Sequence, residues 1–202
     1  MNAASTLSKG EQTRRKILAR ALDLAGEVGL EGISIGALAE EAELSKSGLF
    51  AHFKSKEALQ LEVLQEVFER FALQVVQPAL RAPRGEPRVR SLFERYLRWI
   101  RGEEGQRGCL FQKFSSEYAD RPGAVRDALL QSLKDWRDQL GRAVQTAVEE
   151  DHFRADLDLG RFIYEFTGIA MVYQQSHRFV RDPKALERAT DVFEALIQRS
   201  RR

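Results

Sequence analysis

Ile17, Leu18, Ala21, Leu22, Ala25 and Val28 recur at intervals of three and four and stop at Gly29, the pattern of a helix with one buried face. Ser8 and Glu11 stand ahead of it at capping-box spacing, after a polar stretch over 1–7 that reads as a disordered arm. A second pattern is shorter. Ser34 precedes Ile35, Leu38, Ala39 and Ala42, and Ser45 precedes Leu49 and Phe53, so two short capped helices flank a tight turn plugged by Leu44. Ser55 reads as the cap of a long helix over 56–80 with Leu59, Val63, Leu64, Val67, Phe68, Phe71 and Val75 inward. Pro78, Pro83, Gly85 and Pro87 then break the chain. Over 89–100, Leu92, Phe93, Tyr96, Leu97 and Ile100 predict an inward face with Trp99 at its edge. Gly102, Gly105 and Gly108 form a loop, and a short helix is expected over 109–118. Pro122 and Gly123 open a long helix through Trp136 to about Glu149, and 151–158 reads as a turn.

The last two predicted helices carry matching stripes. Phe162, Phe166, Ile169 and Tyr173 lie on one, and Leu186, Ala189, Phe193, Leu196 and Ile197 on the other, with Gly168 and Ala170 allowing close approach. Paired across two copies they predict a four-helix homodimer interface through Phe162, Phe166, Ile169, Leu186, Ala189, Phe193, Leu196 and Ile197; the competing reading is closure of the monomer core. The chain is therefore expected to be all-α. Its predicted domains are a three-helix helix-turn-helix domain over 1–57 and a larger helical domain over 58–202, which carries the predicted dimerisation stripes.

The two short helices are the chemically informative stretch. Lys46, Ser47, Phe50 and Ala51 fall away from the Leu49/Phe53 stripe, near the amino end of the second helix, where unpaired N–H groups suit a phosphate or base edge. Lys54 and Lys56 follow. A helix-turn-helix leaves its second helix free on this side for the major groove, whereas a solvated helical hairpin shares the same spacing. The run Ala39-x-x-Ala42-x-Leu44-Ser45-Lys46-Ser47-Gly48-Leu49-Phe50-Ala51-His52-Phe53-Lys54-Ser55-Lys56-Glu57-Ala58-Leu59 resembles the signature of the TetR/AcrR family of bacterial transcriptional regulators. The resemblance covers the first quarter of the chain, and the remainder matches in length and helical layout. It implies a homodimeric repressor of a double-stranded, pseudopalindromic operator, released when a small, largely apolar effector binds the larger domain. It also implies DNA contacts from Thr13, Arg14, Ser34, Ser45, Lys46, Ser47, Gly48, Phe50, Ala51, His52 and Lys56.

This chain departs from the family pattern at three places. Glu43 stands where a glycine is usual, and a left-handed backbone there costs on the order of 1 kcal/mol. Phe50 and Ala51 lack the phenol that often bonds a phosphate, although Phe50 suits a thymine methyl. Gly48 removes a side chain often used for contact.

Charge modifies this picture only slightly. The 202 residues carry a formal +2, and 1–57 hold eight Lys/Arg against eight Asp/Glu. Binding then depends on distribution: Lys9, Arg14, Arg15 and Lys16 cluster early, and Glu27, Glu31, Glu40, Glu41 and Glu43 must face elsewhere. An effector pocket is expected among Phe68, Phe71, Trp99, Cys109, Phe111, Phe114, Tyr118, Trp136 and Tyr173, each of which also suits plain core packing. The lone Cys109 excludes an intrachain disulfide; it reads as a small buried hydrophobe, or as a sensor if Arg107 or Lys113 stabilises a thiolate. His52, His152 and His177 are far apart, so no metal is expected, nor any other cofactor. Cys109, Glu117, Tyr118 and His177 show no catalytic arrangement, and no nucleotide or hydrolase motif is present, so the chain is expected not to be an enzyme. The apolar run over 162–173 contains Glu165 and is too short to span a bilayer, and the first ten residues lack an apolar core. A cytoplasmic location without a membrane partner is expected.

Overall fold

The computed structural model describes residues 8–102 and 108–202; the arm expected over 1–7, Gly105 and Arg107 lie outside the described residues. Ten α-helices order the described chain: α1 (Lys9–Val28), α2 (Ile35–Glu41), α3 (Lys46–His52), α4 (Lys56–Phe71), α5 (Gln77–Leu80), α6 (Glu86–Arg101), α7 (Leu110–Glu117), α8 (Ala124–Glu149), α9 (Leu159–Gln174) and α10 (Ala185–Ser200). No strand forms among the described residues beyond an isolated bridge between Phe153 and Arg201. No helix among them is long and apolar enough to cross a membrane.

The caps form as the sequence predicts. The Ser8 hydroxyl accepts the Glu11 N–H while the Ser8 N–H donates to the Glu11 carboxylate at 2.7 Å. Ser34, Ser45 and Ser55 accept from the N–H groups of Ala37, Gly48 and Ala58. Glu43 does take a left-handed backbone, with φ of 55°.

The chain divides into two compact units. One contains the residues up to Val67 together with Lys113–Leu129; the other contains Phe68–Gln112 and Leu130–Arg202. The first unit therefore runs past residue 57 and takes in most of α7, because Lys113, Glu117 and Tyr118 hydrogen-bond to the turn that follows α1. Its core joins Ile17, Ala21 and Ala25 of α1 to Leu38, Leu49, Phe53, Leu59 and Val63. Val28, expected on the inner face, is 53% exposed, and Leu30 beyond Gly29 is fully buried in its place.

In the second unit, the helix expected over 56–80 does not run uniformly. Ala72–Val76 forms a wide π turn between α4 and α5, just before Pro78. Proline lacks an N–H and crowds the carbonyl four residues back, and a wider turn accommodates both effects. A second π turn, Gln175–Val180, ends at left-handed Arg181, two residues before Pro183.

Leu92, Phe93, Tyr96, Leu97 and Ile100 are buried as expected, but Trp99 is buried with them instead of lying at the edge. Phe93 stacks on Phe193 with ring centres 3.7 Å apart and meets Phe166 edge-on at 5.3 Å. The stripe expected at a dimer interface is thus largely internal: Phe162, Phe166, Ala189, Phe193, Leu196 and Ile197 are buried within the single chain. Only Ile169 and Leu186 of that set retain surface, since one face of each helix closes this core. The opposite face exposes Tyr164, Met171 and Val172 on α9 and Val192 on α10.

Ion pairs tie the chain end to α6. The Glu86 carboxylate accepts from Arg201 at 2.7 and 2.9 Å and from Arg90 at 2.7 Å, and Arg90 also pairs with Glu194. The Glu86 backbone N–H donates to His152 Nδ1 at 3.1 Å. Glycine at position 85 is required twice over, by its φ of +86° and because a Cβ would lie 2.0 Å from His152 Nδ1. The bonds from Arg201 and then Arg90 hold Glu86 down to about 2 against 4.5 for a free glutamate. A depressed folded-state value stabilises above the unfolded value and is lost as pH falls through the folded one. Glu86→Gln should therefore lower the melting temperature at neutral pH by at least about 2 °C. Thermal melts across pH should show that gap closing between 4.5 and about 2; a pH-independent gap would assign the loss to packing.

Candidate nucleic-acid interface and effector site

The turn after α1 is held from outside itself. Gly29, at φ +89°, ends the helix, and a Cβ there would lie 2.9 Å from the Glu117 carboxylate. That carboxylate accepts the N–H groups of Leu30 and Glu31 at 2.9 and 2.7 Å. Lys113 donates to the carbonyls of Gly26 and Glu27, which the helix end leaves unpaired. From α4, Lys56 donates to the carbonyl and carboxylate of Glu31, and Gln60 to Leu30 O and Glu31 Oε2. The Tyr118 hydroxyl completes the set at 3.1 Å from Glu31 Oε2. Lys56 foremost, then Gln60 and Tyr118, hold the Glu31 carboxyl below the usual carboxylate range. Burial, aided by the bond to Glu31, pushes the Tyr118 phenol up.

On this base α2 and α3 pack through Leu38, Ala39, Leu49 and Phe53, with Leu44 half-buried between them. The turn is tight: Leu44 N–H bonds Ala39 O at 2.8 Å. Lys46, Ser47, Phe50 and Ala51 are left exposed on α3, Phe50 at 44%, while Gly48 and His52 are half-buried. The hydroxyls of Ser45 and Ser47 lie 2.9 Å apart. The Lys46 stem runs beside Gly36, where a Cβ would stand 3.3 Å from its Cε. Ser34 and Ser45 are occupied as caps, and the Thr13 hydroxyl donates to Lys9 O.

Two further residues expected at the DNA have intramolecular roles. Arg14 pairs with Glu62 and lies 5.0 Å over the Phe53 ring, and Lys56 is bound to Glu31. Two of the five acidic residues are thereby accounted for: Glu31 in that pair, and Glu41 in a two-bond pair with Arg20. Lys46 and Lys54 form no ion pair among the described residues. The Lys113 and Glu117 grip escaped sequence reasoning, since nothing local links positions 87 residues apart.

Five residues expected in an effector pocket do gather in the second unit. Phe71 meets Trp99, Phe111 and Trp136 edge-on at 5.5, 5.4 and 5.0 Å, and Phe68 stacks on Phe111 at 4.9 Å. Tyr96, expected only as core, joins them through Phe71 and Trp136. Cys109 lies beside Tyr96, Sγ to hydroxyl 3.8 Å, and its backbone bonds both ways with the Gln174 amide. Burial pushes its thiol up, away from a reactive thiolate, and Lys113 is engaged on α1 carbonyls instead of the sulfur. Tyr173 stacks on His177 at 5.4 Å. Phe114 and Tyr118 fall in the first unit. No group of three or more His, Cys, Asp or Glu able to hold a metal occurs among the described residues.

Comparison with known proteins places both parts of the chain. Residues 17–63 match the model of bacterial regulatory proteins of the tetR family, and 85–193 match the tetracyclin repressor-like C-terminal domain. The chain is 31% identical over 131 residues to the HTH-type transcriptional repressor DhaR of Mycobacterium sp. (strain GP1); the match spans 65% of each protein. The fold is similar to that of a TetR transcriptional regulator from Chloroflexus aurantiacus (TM-score 0.84, 22% identity, 96% of this chain and 99% of that one). It is also similar to AibR in complex with isovaleryl coenzyme A and operator DNA (TM-score 0.71, 20% identity, 92% and 96%).

The Glu117 grip is directly testable. Glutamine keeps its size but offers one acceptor oxygen for two partly buried N–H groups. Glu117→Gln should cost about 1–3 kcal/mol in urea unfolding. An unmoved midpoint would show that these bonds add nothing to the fold.

Proposed function

The chain belongs to the TetR family of bacterial regulatory proteins, and from that premise we propose that it is a transcriptional repressor, not an enzyme. It binds a pseudopalindromic operator as a homodimer and releases it when a small, largely apolar effector binds. The observation that carries this reading is the exposed row Lys46, Ser47, Phe50 and Ala51 on a helix whose other side is locked by Leu49 and Phe53. A helix held in this way can enter a major groove without moving relative to its own domain. Lys46 sits on a phosphate, and Ser47, Gly48 and Phe50 face base edges. Arg14 and Lys56 support the domain through their pairs with Glu62 and Glu31.

For assembly, the exposed face of α9 and α10 replaces the buried stripe. Tyr164, Met171, Val172 and Val192 are exposed on this face, and Val172 and Val192 line a groove of about 250 Å³ together with Gly168, Ile169 and Ala189. A two-fold interface apposes the same patch on both copies, so one apolar face serves both sides. Effector release requires only that the ligand favour a state with the wrong spacing of reading heads, typically 1–3 kcal/mol of coupling.

Selection from a random duplex library at fixed salt should enrich an inverted repeat; a folded protein that enriches nothing would sink the DNA assignment. On the selected duplex, Lys46→Ala should weaken binding and reduce the salt slope by about one. Lys56→Ala should instead act mainly through stability. Met171→Asp should give folded monomers in sedimentation equilibrium, whereas a persistent dimer would remove this face from the interface.

A further inference from the structure

Gly36 is the second residue of α2 and is half-buried. Its φ is not positive, so the backbone does not call for glycine there, and glycine lowers helix stability relative to alanine. What the position lacks is a side chain, and the space is in use. A Cβ there would lie 3.3 Å from Lys46 Cε and 3.7 Å from Lys46 Nζ, with Ser34 Oγ also at 3.7 Å. Lys46 is the first residue of α3, so its stem crosses from α3 to the first turn of α2.

We propose that Gly36 is a positioning residue for DNA binding: its bare surface seats the Lys46 stem and so directs the ammonium to a backbone phosphate, away from the bases read by α3. The proposal rests on the reading of Lys46 as a phosphate contact. A lysine stem has several rotatable bonds, and fixing its charge on a phosphate costs their freedom. A stem already laid along α2 has lost part of that freedom before DNA arrives, which is preorganisation. The placement also divides the labour on α3. Ser47, Phe50 and Ala51 stay exposed there for base edges, while the ammonium of Lys46, a compact charge without a planar fork, lies over α2. A side chain at position 36 takes the space of the stem and turns the lysine off α2.

The test is a double-mutant cycle on the full chain, read by fluorescence anisotropy of a labelled duplex carrying the selected inverted repeat, over a series of salt concentrations. Gly36→Leu introduces a better helix former, so thermal melts should show the fold retained. It should weaken binding and reduce the salt slope as far as Lys46→Ala does. In the Lys46→Ala background the same change should alter the dissociation constant by less than about twofold. Selection repeated with either variant should return the same repeat, since a phosphate contact carries no base preference. A folded Gly36→Leu that keeps the full salt slope would overturn the proposal. So would a loss that persists in the Lys46→Ala background, which would show the leucine itself obstructing DNA, or an altered repeat. Should Gly36→Leu not fold, Gly36→Ala decides: a smaller loss of the same sign that vanishes without Lys46 supports the seat, and no loss overturns it. The two readings fail separately. An unchanged slope in Lys46→Ala overturns the phosphate contact and the seat together, whereas a slope reduced by Lys46→Ala alone overturns only the seat.

Discussion

A single turn, Gly29 to Glu31, is the constraint on which the reading head depends. It follows α1, and distant residues meet its polar groups: Glu117 takes two N–H groups, Lys113 donates to two carbonyls of the preceding helix end, and Lys56 and Gln60 donate to the carbonyls of Glu31 and Leu30. Unpaired backbone groups at a helix end would otherwise draw water into the packing of α1 against Leu38 and Leu49. Because the residues that meet them come from α4 and α7, the small domain is not a free-standing run of the first 57 residues.

That arrangement changes the meaning of the basic residues. A lysine or arginine near a helix-turn-helix invites assignment to a phosphate, yet Arg14 and Lys56 are taken by Glu62 and Glu31. The acidic side chains that make the domain net neutral are partly used in the same pairs, which leaves the α3 face with Lys46 and no paired acid. A balanced total charge is thus compatible with a face suited to DNA, since what matters is which charges remain unmatched at the surface.

In the second unit one aromatic assembly and one aromatic core lie side by side in the chain's pattern but differ in character. The Phe93, Phe166 and Phe193 core is purely apolar and closes α6 on α9 and α10. The assembly around Phe71 contains two indoles, a phenol and a thiol. The π turns after Phe71 and Gln174 are each followed by a proline, Pro78 and Pro183, so local covalent geometry accounts for where the helices widen.

The helices, their serine caps, the left-handed Glu43 and the family itself were legible in the sequence, because each follows from residues within about four positions of one another. Periodicity identified which residues turn inward; it could not say whether inward meant toward the same chain or toward a second copy. Phe162, Phe166, Phe193 and Ile197 were read as an interface for that reason, and only the packing of α6 against them decided otherwise. Trp99 moved from edge to core on the same ground. The Glu117 grip, the Glu86 network and the gathering of Phe71 with Trp136 all join positions tens of residues apart. A linear pattern specifies the face of a helix, and tertiary structure alone specifies what that face meets.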